Sequence, residues 1–180
     1  MVLITVIVLL LLGYRIVSDS NGSKFIGKVK DGQPYDGSIS YKDGGKAELD
    51  YANSTITYAN GDVYVGEING LNRNGNGKMT YANGDVYEGS FLNDRIEGTG
   101  VYNYEDGDVY EGSFKDNKKS GQGKYSFANG ASYEGSFSDD LKNGYGVYTW
   151  ANGDVYEGNY VNDVRNGKGV LTLASGEKYD

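Results

Sequence analysis

The chain has 180 residues and a net charge of −8, with 29 glycines and 18 tyrosines but no histidine and no cysteine. The acidic balance disfavours nucleic acid as a partner, because lysine and arginine supply most of the affinity for its phosphates. Without histidine and cysteine, the usual zinc sites and the Ser–His and Cys–His nucleophilic pairs are excluded, so we predict a non-enzymatic protein without a metal or a cofactor.

The chain begins with an unbroken apolar run from Val2 to Leu12, and Ile16 and Val17 follow after Arg15. A helix over these residues would be roughly 24 Å long, which is short for a hydrocarbon core of about 30 Å. We predict a single-pass helical membrane anchor over residues 1–17, with a cleaved signal peptide and a buried strand as alternatives. The apolar side chains of the anchor are Leu3, Ile4, Ile7, Leu9, Leu10, Leu11 and Leu12. Basic residues follow the run, which favours the cytoplasmic side for the rest of the chain.

A linker and two degenerate copies of a repeat come next. Residues 18–23 are polar, and residues 22–60 contain the two copies. In the first, Phe25-Ile26-Gly27 stands where later copies have Tyr-x-Gly, whereas the second is shortened. Atypical first copies are expected where a repeat array needs a cap.

Five regular copies of 23 residues occupy residues 61–175, and residues 176–180 begin another copy. Each regular copy opens on glycine, has tyrosine in fourth place and glycine two places later, and carries a Gly-x-Gly in its second half. The fourth-place tyrosines are Tyr64, Tyr87, Tyr110, Tyr133 and Tyr156. A fixed period of this length indicates a repeat array in which each copy is one supersecondary unit.

Each copy is predicted to form two antiparallel strands. Alternate residues of a strand share a face, so Tyr87, Gly89 and Phe91 point the same way. Two columns in the second half of the copies hold only large apolar or aromatic residues, which predicts that this face is buried. The columns are Met79, Tyr102, Tyr125, Tyr148 and Leu171, and Tyr81, Tyr104, Phe127, Trp150 and Leu173.

Two kinds of link join these strands. Asn-Gly or Asp-Gly lies between successive copies, which predicts type I′ hairpin turns there. The link inside a copy, such as Leu92–Glu97, is predicted to be a longer polar loop.

The Tyr-x-Gly triplet, the later Gly-x-Gly and the 23-residue period resemble the MORN repeat family (membrane occupation and recognition nexus) over at least Gly61–Tyr179. The resemblance implies an all-β fold, an elongated and curved antiparallel sheet of stacked β-hairpins. We expect the short hydrophobic helix to precede this sheet. The resemblance also implies a non-catalytic module that binds proteins, associates with itself or contacts phospholipid.

Two surfaces are candidates for binding. The first is an aromatic groove formed by Tyr64, Tyr87, Tyr110, Tyr133, Tyr156 and Trp150, provided that the tyrosine hydroxyls reach it rather than lie in the core. The second is an acidic stripe of Glu88, Glu111, Glu134 and Glu157, either a solvated strand face or a surface for a basic partner. Basic residues also recur in the long loops, at Arg73, Arg95, Lys118, Lys119, Lys142 and Arg165.

We therefore predict a membrane-tethered scaffold that offers its groove to a protein partner or to another copy of itself. Lipid headgroup binding by the repeats is disfavoured by the negative net charge. Two alternatives remain: the targeting or regulatory part of an enzyme that continues past Asp180, and a structural subunit of a larger membrane assembly.

Overall fold

The computed structural model describes residues 13–180, and all regular structure in this range is β strand. The chain divides into two compact units. The first comprises the residues up to Ala82 together with Leu92–Asp94, and the second comprises Asn83–Phe91 and Arg95–Asp180. The prediction of an all-β fold built from hairpin repeats is confirmed.

The strands are short and similar in length from copy to copy. Those of the first unit are β1 Tyr14–Ser18, β2 Lys24–Lys30, β3 Gln33–Ser40, β4 Lys46–Asp50, β5 Thr55–Tyr58, β6 Val63–Asn69 and β7 Asn72–Thr80. Those of the second unit are β8 Val86–Leu92 (without its last residue), β9 Arg95–Asn103, β10 Val109–Lys115, β11 Lys118–Ser126, β12 Ser132–Ser138, β13 Leu141–Thr149, β14 Val155–Val161, β15 Val164–Thr172 and β16 Lys178–Tyr179.

Within each unit the strands pair antiparallel with their neighbours in the chain, as β10 does with β9 and β11. In the β10–β11 pair Tyr110 lies opposite Tyr125, and Gly112 lies opposite Gly123. The register then shifts between Gly112 and Phe114. A shift at the same glycine recurs in the β12–β13 and β14–β15 pairs, so these three copies are hairpins with a bulge.

The glycine pair makes room for the tyrosine ring of its own copy. A Cβ atom added to Gly123 would lie 2.6 Å from two ring carbons of Tyr110. A real Cβ cannot approach a ring carbon so closely, because van der Waals contact begins at about 3.5 Å. The second Gly-x-Gly glycine of each copy is therefore required by packing.

The two kinds of turn are the reverse of the prediction. The link inside each copy is a two-residue turn: β10 and β11 are joined by Asp116 and Asn117, both at positive φ (50° and 67°). Two positive φ values define a type I′ turn, and Asp and Asn adopt them more readily than other non-glycine residues. At the Asn129-Gly130 link only the glycine has positive φ, and its N–H donates to Phe127 O at 2.9 Å. The Asn-Gly dipeptide does not by itself predict a type I′ turn, because asparagine and glycine also fit the last two places of a four-residue turn.

The single-pass membrane anchor predicted for residues 1–17 is wrong. Its last four residues, Tyr14–Val17, belong to strand β1, which pairs with β2 and places Ile16 opposite Ile26. Among residues 13–180 no helix has the length and apolar character to cross a membrane. The helix was predicted from the apolar character of the segment alone, but a short apolar run is compatible with a strand as well as with a helix. The apolar residues Leu3, Ile4, Ile7, Leu9, Leu10, Leu11 and Leu12 lie outside the described residues.

Candidate functional site

The tyrosines of the Tyr-x-Gly triplets lie in the core. Tyr64, Tyr87, Tyr110 and Tyr133 are fully buried, and Tyr156 is 7% exposed. The hydroxyl of Tyr110 donates to the carbonyl of Ser113 at 3.0 Å, and the tyrosines of three other copies make the same bond to the carbonyl three residues on. These rings therefore support the surface above them rather than form it.

In four of the five copies a phenylalanine or tyrosine four residues later packs against this ring, whereas the first copy has Ile68 in that place. Tyr110 packs edge-to-face against Phe114 at 5.1 Å and against Phe137 of the next copy, also at 5.1 Å. Tyr133 likewise contacts Phe137 and Tyr160. Each such contact is worth about 1 kcal/mol beyond the area it buries, so aromatic packing holds successive copies together.

The second unit also carries aromatic rings that are only half-buried, and we name this row the aromatic line. It consists of Tyr102, Tyr104, Tyr125, Phe127, Tyr148 and Trp150. Successive ring centroids are 4.5, 5.8, 4.6, 5.8 and 4.9 Å apart, so the row is unbroken. These are the two columns that the sequence predicted to be buried, and in this unit they reach solvent. Trp150 is the one predicted groove residue that belongs to the line.

In four of the five regular copies a basic side chain lies over an aromatic ring; three of them lie over the aromatic line, and Arg73 lies over Tyr58 in the first unit. The position is held by Arg73, Ile96, Lys119, Lys142 and Arg165, each 23 residues after the last. Lys119 Nζ lies 5.0 Å from the Tyr125 ring and donates to the Tyr104 hydroxyl at 3.1 Å. Arg165 stacks on Trp150, with Cζ 4.7 Å from the ring. Burial lowers the pKa of Lys119, as expected of an ammonium group among rings.

Arg95 and Lys118 belong to the same recurring basic set in the sequence. Both instead point to solvent, where Arg95 pairs with Asp116 at 2.7 Å and Lys118 with Asp139 at 3.0 Å. The exact 23-residue spacing distinguishes Lys119 from Lys118 and would have identified the column. The column is hard to recognise in the sequence because one copy has Ile96, a buried apolar residue, in place of the basic side chain.

Hydrogen bonds between successive hairpin turns position this column. The N–H of Lys119 donates to Asp140 Oδ1 at 2.9 Å, and the N–H of Asp140 donates to the carbonyl of Lys119 at 3.1 Å. Lys142 and Asp163 make the same two bonds. The second residue of each turn thus fixes the backbone of the basic residue one copy earlier.

We expect Asp140→Ala to lower the free energy of unfolding by roughly 2–3 kcal/mol. The change removes the acceptor of the Lys119 N–H, and it puts alanine at a φ of 71°, which costs another 1 kcal/mol or so. Asp140→Asn is the matched control, because Asn117 already serves this role for Ile96 at 2.8 Å. Urea unfolding measures both variants; an equal loss of stability in the two would contradict the account.

A second set of hydrogen bonds lies at the Asn-Gly turns, on the carboxylate of the residue after the glycine. Asp85 Oδ1 accepts from the N–H of Glu105 at 2.9 Å. Its Oδ2 accepts from Asn83 Nδ2 and from the Tyr102 hydroxyl, both at 3.0 Å. Burial alone would raise the pKa of Asp85, but these hydrogen bonds, that of Glu105 first, hold it below its ordinary value.

The acidic stripe lies exposed on the opposite face of the strands. Glu111 is one residue from the buried Tyr110 and lies opposite Val101 on one side and Lys124 on the other. The other members, Glu88, Glu134 and Glu157, are exposed in the same way. Within residues 13–180 no three carboxylates are grouped so that they would hold a metal ion.

Comparison with known families agrees with this architecture. Consecutive MORN repeats match residues 64–86, 87–109, 110–132, 133–155 and 156–178. The chain therefore belongs to the MORN repeat family. No curated protein sequence matches it.

Comparison with solved structures finds similarity at low sequence identity and low TM-score, as three of them illustrate. The TCP domain of Drosophila melanogaster SAS-4 (dCPAP), solved with a proline-rich motif of Ana2 (dSTIL), is 20% identical over 92% of this chain and 87% of that one, with a TM-score of 0.47. The CPAP G-box domain is 14% identical over 93% and 97%, with a TM-score of 0.48. A streptogramin B lyase is 15% identical over 93% and 68%, with a TM-score of 0.22. At these scores none of them indicates what this chain binds.

Proposed function

We propose that this chain is a non-catalytic binding module whose second unit holds an extended segment of a partner protein along the aromatic line. The observation that carries the proposal is the unbroken row of half-exposed rings, whose centroids are 4.5–5.8 Å apart. A contiguous exposed apolar surface marks an interaction site, whereas single exposed apolar residues do not.

The spacing of the line favours an extended partner. The row crosses the strands, and the two strands of one copy advance it by roughly 10 Å. An extended peptide advances about 3.3 Å per residue, so about three of its residues correspond to one copy. A partner segment of roughly eight residues would therefore contact every ring of the line.

A small cavity beside the line offers a place for one partner side chain. Its volume is about 140 Å³, and its lining includes Phe127, Phe137, Lys119 and Lys142. The aromatic rings form an apolar floor, and the stems of the two lysines can cover an apolar guest while their ammonium groups reach water. This combination suits an aliphatic side chain flanked by polar backbone.

We expect Trp150→Ala to weaken partner binding at least tenfold, since aromatic anchors dominate such interfaces. Peptides would be selected from a random display library on the intact chain, and their affinities measured for this variant and for Phe127→Ala. The matched control is Glu111→Gln on the opposite face, which should leave affinity unchanged. Because Trp150 is the only tryptophan, its fluorescence should also change when a peptide binds.

The proposal would be contradicted if most selected peptides bound the Trp150→Ala chain as tightly as the parent. Urea unfolding of each variant establishes that the fold is kept. Sedimentation of the chain alone tests whether the occupant is another copy: self-association that Trp150→Ala abolishes identifies this surface as the contact between copies.

A further inference from the structure

The copy that contains Ala131 lacks the carboxylate found at the corresponding turn of the other regular copies. Those copies have aspartate in this place: Asp62, Asp85, Asp108 and Asp154. Each of these aspartates accepts a hydrogen bond from the backbone N–H of the residue 20 positions later. Ala131 has a buried methyl group instead, 4% exposed.

The donors that surround the carboxylate are nevertheless kept in this copy. Three groups converge on Asp85: the Asn83 side-chain amide, the Tyr102 hydroxyl and the Glu105 N–H. Two periods later the same places are held by Asn129, Tyr148 and Ala151. Of the five regular copies, only these two combine asparagine before the turn glycine with tyrosine in the column of Tyr102.

The local geometry of the two copies is also the same. Asn129 Oδ1 accepts from the N–H of Ala131 at 2.9 Å, as Asn83 Oδ1 accepts from that of Asp85 at 3.1 Å. This bond orients the side chain, so that Asn129 Nδ2 is held near position 131. Tyr148 lies 5.8 Å from Phe127, and in the copy that contains Asp108 the corresponding rings of Tyr125 and Tyr104 are also 5.8 Å apart.

Within residues 13–180 no acceptor takes a hydrogen bond from Asn129 Nδ2, the Tyr148 hydroxyl or the Ala151 N–H. Asn129 and Ala151 are exposed and Tyr148 is half-exposed, so a ligand can reach all three. The methyl group of Ala131 closes the base of the site.

We propose that these three donors bind a carboxylate group of a partner protein, in the place that aspartate takes in the other copies. A carboxylate fits because it only accepts hydrogen bonds, whereas an amide would bring its own N–H₂ towards the donors. The guanidinium of Arg165, which stacks on Trp150 at 4.7 Å, adds positive charge beside the site. The proposal rests on the proposed function, because Tyr148 and Trp150 belong to the aromatic line.

The site gives the bound segment a fixed register. An extended peptide has many equivalent ways to lie on a repeating surface, but only the fourth regular copy offers these donors. An acidic side chain, or the C-terminal carboxylate of the partner, therefore determines which of its residues lies over each ring.

The first test is titration of the ¹⁵N-labelled chain with sodium acetate at constant ionic strength, maintained with chloride. The amide signal of Ala151 should shift and saturate, with a dissociation constant in the millimolar range. Ala131→Asp should abolish the saturable shift, because it supplies the carboxylate covalently. Acetamide, a neutral molecule of the same shape, should cause none.

Failure of any of these results overturns the proposal. The decisive contrary outcomes are the lack of a saturable shift with acetate, an equal shift in Ala131→Asp, and an equal shift with acetamide. N-acetylglycine and propionate then distinguish the source of the carboxylate: tighter binding of N-acetylglycine favours a C terminus, and tighter binding of propionate favours a side chain.

The second test builds the site again elsewhere in the chain. Asp85→Ala leaves Asn83, Tyr102 and the Glu105 N–H without their carboxylate, so its melting temperature should fall and acetate should restore part of the loss. Ala131→Asp should raise the melting temperature. If acetate stabilises Asp85→Ala no more than chloride does, the proposal is wrong.

The two proposals fail separately. Acetate binding to Ala151 without any effect of Trp150→Ala on selected peptides would keep the carboxylate site and reject the aromatic line as the partner surface. The opposite result is peptides whose binding depends on Trp150 but is unchanged when their acidic residues are amidated. That result would support the aromatic line as the partner surface and contradict the carboxylate site.

Discussion

Gly123→Ala is expected to lower the free energy of unfolding by roughly 3 kcal/mol, the upper range for overpacking a core. The added Cβ would lie 2.6 Å from ring carbons of Tyr110. The ring cannot move aside, because Phe114 and Phe137 contact it at 5.1 Å each and its hydroxyl is bonded to the Ser113 carbonyl. The gain in strand preference from replacing glycine is only about 0.5–1 kcal/mol, so steric strain dominates.

A double-mutant cycle isolates this contact. Tyr110→Ala removes the buried ring and by itself should cost about 3–5 kcal/mol. In that background Gly123→Ala should cost almost nothing, since the atoms it would meet are gone. Urea midpoints of the four chains measure the coupling. Costs that simply add would show that Gly123 is needed for its backbone conformation and not for the ring above it.

Alkaline pH is expected to unfold the chain between about pH 10 and pH 12. Burial raises the pKa values of Tyr64, Tyr110 and Tyr133 from 10.0 to about 12. Below pH 10 these tyrosines are protonated in both states and the full stability is present. Above pH 10 the unfolded chain loses its protons first, so stability falls as pH rises through the folded pKa values. At pH 11 the three groups together should cost about 3 kcal/mol, allowing for some screening by solvent.

The pH dependence can be assigned by single substitutions. Tyr110→Phe removes one buried phenol and should make stability fall less steeply between pH 10 and pH 12. Tyr179→Phe is the matched control, because Tyr179 is 54% exposed and should leave the profile unchanged. Circular dichroism follows unfolding, and tyrosinate absorbance follows ionisation. Ionisation of all tyrosines near pH 10 in the folded chain would contradict the assignment.

The period of 23 residues was sufficient to predict the class of fold. A repeated unit too small to bury its own apolar face must stack on its neighbours, and the alternation of Tyr87, Gly89 and Phe91 specifies strands. Which of these aromatic side chains would remain accessible was not predictable in the same way. The burial of a ring depends on side chains from other copies. Phe114, for example, packs against Tyr87, and Lys119 lies over Tyr104.

The N-terminal helix and the turn types were predicted wrongly for similar physical reasons. The hydrophobic N-terminal pattern does not distinguish a helix from a strand, and pairing with β2 decided the outcome for Tyr14–Ser18. The turn types were reversed because Asn-Gly fits two turns, and the register of the paired strands selects between them. The site at Ala131 is visible in the sequence as one departure from a column, but its donors lie 2 residues before and 17 and 20 residues after it.

The sequence by itself therefore determined the repeat, its strands and the family, because these follow from local periodicity and from glycines that a ring must cover. Only the tertiary structure decided which face of each aromatic column is open, how a basic side chain of one turn is held by the next, and where three donors meet without a carboxylate. These features arise between copies, where residues about 20 positions apart come within hydrogen-bonding distance.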